Sequence, residues 1–479
     1  MKRFFSLSFL IFILVFAVSC GQNDTYELEP YQEEASNPEP SPEPEPTPEP
    51  TIEPTPEPEL DTPIEHISVI PVDETSRMIR LMQDIFDEDN GELWGVDLFV
   101  PFMFTDFETR HVVASQQDSQ GRFIRQGDVY VGVLPDGLAI FGGTIGFSGM
   151  PWATVEWWHG LYYETSDARI LLNMINAAFM VSQNELIYGR PQGTGQAFFN
   201  YSSELRVFIQ LELAALLRAL TSENEAIKLA AVHDALSIRN ERRERVLLGR
   251  GDRELEILSG TAFYTSLMLA YDSLEERMKI IEDWARYINR SNIASVIGAL
   301  YSFLLDDFGV DWKTDLTFET NLGDSLKDAL GVEELTPFGD LDLEIYNYSE
   351  ITAQEATRLE ARLQRREYII ESFANYPWLA FEAGWDNLVS VYNHESFTIS
   401  NVYYWYGNVV IATEAGQLTI NNGPLQHGFN FEEVFIPIKH MTIEENRVVG
   451  HNWELELNDG FEIFELFDGS GYRVRRVRN

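Results

Sequence analysis

The chain has 479 residues, with 77 acidic against 34 basic side chains, a formal charge of −43 at pH 7 and one cysteine. A surface of that sign repels nucleic acid and anionic lipid, so no nucleic-acid partner is expected. One thiol excludes internal disulfides and multi-thiolate metal sites. No apolar run reaches the roughly 18 uninterrupted residues that a membrane-spanning helix needs.

In chain order, the first feature is a basic start, Lys2 and Arg3, followed by an apolar stretch over 4–17 that ends in Ala17-Val18-Ser19-Cys20. Such a stretch is too short to span a bilayer and reads as a secretory signal. An ordinary signal peptide with an incidental cysteine is the plainer alternative. With cysteine directly after small residues, the segment resembles the lipobox of bacterial lipoproteins. That resemblance implies removal of 1–19, lipidation of Cys20 and a membrane partner through the lipid, outside the cytoplasm. Each buried methylene adds about 0.8 kcal/mol, so two or more acyl chains anchor firmly.

Residues 20–63 follow as an acidic tether. Proline alternates with glutamate from Pro38 onward and apolar content is almost nil. Proline fixes φ and carboxylates repel, so this segment is expected to stay extended without a core. At about 3.1 Å per residue its Pro-rich part reaches on the order of 80 Å.

The remainder is expected to be α+β, divided into a body over 64–390 and a small antiparallel β domain over 391–479. Strand and hairpin signals occupy 98–104, 129–134, 138–141 and 153–157, separated by Asp-Gly and Gly-Gly pairs. The pattern then changes to helices that are apolar on nearly every side, over 170–181 and 205–220, which predicts burial inside a large domain. Capping-box spacings at Ser222/Glu225, Ser273/Glu276 and Thr352/Glu355 place further helices at about 223–246, 274–289 and 353–374. Others are expected near 255–270 and 292–306. From Phe397 the period returns to two, with strands at 397–400, 402–406, 409–413, 434–438, 453–457 and 472–477.

No local chemistry motif stands out. The eight histidines are scattered, none at His-x-His or His-x-x-x-His spacing, and no Gly-x-Ser-x-Gly elbow or Walker loop occurs. Phe141-Gly142-Gly143-Thr144 lacks the lysine of a phosphate cradle, and its glycines suit a turn.

Several segments nevertheless occur in a shared order: Leu93-Trp94-Gly95, then Phe104 to Ala114 with Asp106 and Arg110, then Val131-Gly132-Val133-Leu134-Pro135, then Gln210-Leu211-Glu212-Leu213-Ala214-Ala215-Leu216, and finally Val448 to Gly460. This order resembles a poorly characterised family of secreted bacterial gluzincin-like metallopeptidases. In that family one helix carries His-Glu-x-x-His-Arg-x-Gln and a later one Asn-Glu-Gly-Leu-Ala-Glu-Tyr-Thr-Gly. The resemblance implies a zincin-like central helical region. It also implies that the zinc ligands correspond here to Asn176, Met180 and Ser259, and the general base to Ala177.

None of these four can do the family's chemistry. Hydrolytic zinc needs three protein ligands and a base for its bound water. Amide oxygen, thioether and neutral hydroxyl are poor zinc ligands, and alanine accepts no proton. The resemblance therefore implies a vestigial site with no metal, no cofactor and no catalytic residue. The plain alternative is that 170–181 is simply a core helix. A metal site assembled from distant residues such as His159, His233 and Glu256 is a further alternative.

Weaker signals are expected to be structural. Arg250-Gly251-Asp252 suits an exposed loop. Trp157-Trp158-His159 and Tyr403-Tyr404-Trp405-Tyr406 suit packing rather than sugar stacking. Glu360, Arg362, Arg365 and Arg366 suit a solvated helix face, and Arg473 to Arg478 a strand with exposed arginines. The expected function is that of a surface-anchored lipoprotein whose inactive gluzincin-like domain binds or scaffolds a peptide, protein or cell-wall ligand. The alternatives are a hydrolase with a relocated site and a solute-binding lipoprotein.

Overall fold

The computed structural model describes residues 70–106, 109–135, 138, 140, 142–157, 166–187, 202–245, 250–286, 293–384, 387–399, 402–428 and 430–477. The signal segment, Cys20 and the tether lie outside the described residues, as do Trp158 and His159. So do parts of the strand expected at 138–141 and the ends of the helices expected to reach 246 and 289.

The first element is a helix, α1 (Val72–Asp89), which the hydrophobic pattern did not signal. Seven of its eighteen residues are apolar, and Met78, Ile79, Met82 and Phe86 among them are buried along one side. Asp73 and Glu74 sit in the first turn, where the helix dipole favours negative charge. Asn90 ends it in the left-handed region.

Six strands follow: β1 (Phe102–Thr105), β2 (His111–Ala114), β3 (Ile124–Gln126), β4 (Val129–Val133), β5 (Gly143–Phe147) and β6 (Met150–Glu156). Their order in the sheet is β3-β4-β2-β1-β6-β5. All neighbours are antiparallel except β1 and β6. Strand alternation divides the side chains between two buried faces. Phe102, Phe104, Val113 and Val155 join α1 and α2 (Asp167–Leu186) in one core, while Met103, Val112, Phe147 and Trp152 form another. Gly143, expected in a turn, opens β5.

The central helices pack around α8 (Ile293–Asp307), whose residues from 293 to 305 are all buried. Against it lie α3 (Ser203–Thr221), α4 (Glu225–Arg245), α5 (Arg250–Leu255), a π turn (Glu256–Gly260) and α6 (Thr261–Ala270). The helix expected at 255–270 is thus interrupted by a wide turn. There Gly260 and Gly298 bring two backbones together: a Cβ on Gly298 would stand 2.2 Å from the Glu256 carbonyl oxygen, and one on Gly260 would stand 2.6 Å from the Gly298 Cα.

Of the three capping boxes, the one at α7 (Leu274–Arg286) forms, with the Glu276 amide donating to Ser273 Oγ and Ser273 Oγ to Glu276. At α4 the cap is Asn224, whose Oδ1 accepts from Ala226 and Ile227, rather than Ser222. Thr352 lies inside α10 (Tyr348–Asn375), which begins after Asn347 and a short helix α9 (Leu322–Ala329) upstream. Glu355 does not cap: it is buried and accepts from Arg206 and Gln210 on α3.

The C-terminal sheet has ten strands: β7 (Trp378–Glu382), β8 (Leu388–Ile399), β9 (Val402–Thr413), β10 (Gly416–His427), β11 (Glu433–Pro437), β12 (Met441–Glu444), β13 (Arg447–Gly450), β14 (Trp453–Leu457), β15 (Phe461–Glu465) and β16 (Gly471–Arg476). The expected boundary at 390/391 falls within β8, and β7 precedes it, so this sheet begins at Trp378. Pairing is antiparallel except between β16 and β7. β10 is central: a bulge between Ile420 and Gly423 bends it, so that it pairs with β9, β14 and β11.

Helix α10 spans both parts. Its first half is tied to α3 through Glu355, and its second half lies on β9, where Tyr368 meets Tyr406 and Phe373 meets Tyr404 at centroid distances of 6.1 and 5.3 Å. Arg365 pairs with Glu395, and Arg362 covers the Phe397 ring. Two of the arginines expected on a solvated face are therefore bound to the sheet.

Substituting Gly298→Ala forces a methyl into backbone. It should destabilise the fold by about 1–3 kcal/mol or more, measured as a lower urea midpoint with unchanged slope.

Candidate functional site

Helix α2 carries three of the four positions expected to be vestigial. Leu172, Met174, Ile175, Ala177, Ala178 and Phe179 are buried, whereas Asn173, Asn176 and Met180 are half-exposed. Spacings of three and four residues place these last three along one stripe. The helix is therefore a core helix on most sides and open along the stripe. Ala177 is buried and contributes only packing.

Ser259 lies on the π turn and is likewise half-exposed. The two elements are fastened together by Gln183, one turn beyond Met180. Its Nε2 donates to the Leu258 carbonyl at 2.6 Å and to Thr261 Oγ1 at 2.9 Å. A third wall is β5, the last strand of the N-terminal sheet. Gly143, at φ +108, has no side chain to keep it from Met180, whose Sδ would lie 3.7 Å from a Cβ there. Asn176 and Ser259 have no side-chain hydrogen-bond partner among the described residues.

Trp94 supports this region from below. Its ring is 4.9 Å from Phe179, stands edge-on to Trp312, and its Nε1 donates to Thr265 Oγ1 at 2.9 Å. The segments around Asp106, Arg110 and Val131 to Pro135 are also joined: Asp106 accepts from the Thr109 amide, and Arg110 donates to the Leu134 and Leu138 carbonyls.

Behind the π turn lies a buried cluster of charge. Arg239 Nη1 donates to Glu212 Oε1 and Glu256 Oε1, both at 3.0 Å, and Nη2 reaches Glu256 Oε2 at 2.5 Å and Asn321 Oδ1 at 3.0 Å. Arg242 lies 2.8 Å from Glu212, and the Tyr301 hydroxyl donates to Glu212 at 3.1 Å. All four charged residues are under 5% exposed. Burial opposes the Glu256 charge, but Arg239 and Arg242 outweigh it and hold the carboxyl below its ordinary range. The same balance raises Arg239 well above an ordinary arginine: burial lowers it and Glu256, Tyr301 and Glu212 more than compensate.

This cluster engages Glu256 of the distant metal site considered above. Both Glu256 oxygens are held by Arg239, and His233 Nε2 faces the Glu334 carbonyl at 3.2 Å. His159 lies outside the described residues. Among the described residues no group of three or more His, Cys, Asp or Glu side chains is placed to hold a metal ion.

The minor expectations resolve individually. Arg250 to Asp252 has helical backbone within α5 rather than loop. Trp157 is buried. Tyr404 and Tyr406 face α10, while Tyr403 and Trp405 pack on His427 and Phe431. The tail arginines are paired: Arg473 with Glu433, Arg475 with Glu462 and Arg476 with Glu414.

One cluster gave no sequence signal. Asp306 accepts from Tyr264, from Trp312 Nε1 at 2.8 Å and from Lys313 Nζ at 3.0 Å. Burial and the facing carboxylate push the Tyr264 hydroxyl far above its ordinary range, so it remains a donor. A concavity of about 330 Å³ between α1 and the N-terminal sheet is lined by Arg80, Gln83, Ser115 and Asp128, and by none of the four vestigial positions.

Replacing Glu256→Gln leaves a buried guanidinium short of countercharge and should cost about 3–5 kcal/mol. Because folding lowers the Glu256 pKa below its ordinary 4.5, its contribution is complete above about that pH and is lost as pH falls further. The wild-type acid transition should therefore flatten in the variant, as followed by circular dichroism from pH 6 to 2.

Comparison with family models, with curated proteins and with solved structures gives no match, so the chemistry of the site is argued from its own atoms.

Proposed function

We propose that the chain is an exported lipoprotein, lipidated at Cys20 and held off the membrane by its Pro/Glu tether. Its gluzincin-like body is catalytically inactive and serves to bind or scaffold a peptide, protein or cell-wall ligand. The observation that carries this reading is the clamp of α2 onto the π turn by Gln183. The clamp places the elements bearing Asn176, Met180 and Ser259 side by side, next to the terminal strand β5. A zinc-hydrolase geometry would need those two elements adjacent, and the side chains they carry here are amide, thioether and hydroxyl, which supports the inactive reading.

What remains suits binding. Among the described residues β5 has no strand neighbour on its outer side, where an extended chain can add as a further strand. The half-exposed amide, thioether and hydroxyl side chains beside it offer hydrogen bonds and a soft apolar contact without hydrolytic chemistry.

The purified chain should carry no stoichiometric zinc and show no chelator-sensitive peptide cleavage. The combined variant Asn176→His, Ala177→Glu, Met180→His, Ser259→Glu should acquire about one zinc per chain by elemental analysis. Tight zinc in the wild type would overturn the inactive reading, and failure of a folded quadruple variant to bind zinc would overturn the inherited-site reading. Separately, Cys20→Ala should abolish incorporation of labelled fatty acid and release the protein from the membrane fraction of a bacterial host.

A further inference from the structure

The concavity of about 330 Å³ between α1 and the N-terminal sheet has a composition of its own. Helix α1 supplies Ser76, Ile79, Arg80 and Gln83, whose spacings of three and four residues put them along one stripe. The facing wall comes from the ends of strands: Phe99 ahead of β1, Ser115 after β2, and Asp128 and Val129 where β4 begins. Ile79 and Val129 are buried and give the recess an apolar floor. Phe99 adds a half-buried ring, standing edge-on to Phe86.

The polar groups around this floor have hydrogen bonds to spare. The side chains of Ser76, Arg80, Gln83 and Asp128 make none among the described residues. Ser115 Oγ accepts from the Phe102 amide at 3.0 Å, which leaves its own proton free to donate. Arg80 Nη1 and Asp128 Oδ2 stand 3.8 Å apart, too far for a hydrogen bond and close enough for one small group to reach both. These two side chains are 60% and 66% exposed, so their mutual attraction contributes little by itself.

That gap selects the chemistry of an occupant. A carboxylate placed there meets Asp128 as well as Arg80, and an ammonium meets Arg80 as well as Asp128. A hydroxyl suits both, because its oxygen accepts from the guanidinium while its proton goes to the carboxylate. Ser76, Ser115 and Gln83 offer donors and acceptors to neighbouring hydroxyls, and the apolar floor with Phe99 suits the C–H face of a ring. One positive and one negative side chain line the recess, so it is locally neutral in a chain of formal charge −43. Its volume lies at the lower end of the range for small-molecule sites, room for one ring rather than a chain of them.

We infer that this recess binds a single neutral sugar ring, one hydroxyl of which bridges Arg80 and Asp128. The site goes beyond the reading of the α2 stripe and does not rest on it.

The test uses the full chain and saturation-transfer NMR with glucose, galactose, mannose, N-acetylglucosamine and ribose, and with leucine as a zwitterionic control. At least one sugar should bind saturably, and leucine should not. Arg80→Met and Asp128→Ala should each weaken that sugar by about tenfold, the loss of one charge-assisted hydrogen bond. The double variant should lose less than the product of the two single losses, because a shared hydroxyl couples them. Both side chains are exposed, so all three variants should keep the wild-type melting temperature without ligand. Methyl glycosides then distinguish the carrier: binding equal to that of the free sugar assigns the terminal ring of a glycan, and binding of the free sugar alone a soluble monosaccharide. Absence of saturable binding by all five sugars, leucine binding as tightly as the best of them, or undiminished sugar binding in the double variant would overturn the site.

Discussion

Two arginines and two glutamates buried together set the geometry of the helical region. Arg239 and Arg242 come from α4, Glu212 from α3 and Glu256 from the π turn, with Tyr301 of α8 and Asn321 ahead of α9 completing the hydrogen bonds. Charges without water must be met at close range or they oppose folding. Five separate segments are therefore held to one arrangement. The wide turn over 256–260 satisfies two demands together: it presents Glu256 to Arg239, and it brings Gly260 against Gly298 of the buried helix α8.

The candidate site depends on that turn. Ser259 sits on it, and Gln183 reaches from α2 to the Leu258 carbonyl beside it. Helix α2 is a core helix on most sides and open along one stripe. Its buried side packs on the N-terminal sheet, and its open stripe carries Asn173, Asn176 and Met180. The frame rests on the ion cluster and the apolar core.

Helix α10 links this body to the C-terminal sheet by two different means. Near its start, buried Glu355 engages Arg206 and Gln210; farther on, aromatic pairs and Arg365 with Glu395 fix it to β8 and β9.

The order of strand-rich, helical and strand-rich regions was legible from periodicity, since alternation of two and of three to four is imposed by local geometry whatever the partner. Absence of disulfides followed from one cysteine alone. Capping-box spacing was less informative: Ser273 and Glu276 form the box, but Thr352 and Glu355 have the same spacing and Glu355 turns instead to Arg206 on another helix. Helix α1 escaped because its four apolar anchors are diluted by charge. Residues 211–216 marked a helix without revealing that Glu212 would be buried against arginines from α4, more than twenty residues away. The sequence by itself determined the order of strand-rich and helical segments. Only the tertiary structure decided which charges lose water together, which glycines touch, and that Arg80 and Asp128 line one recess, because those pairings are set by packing between distant segments rather than by local spacing.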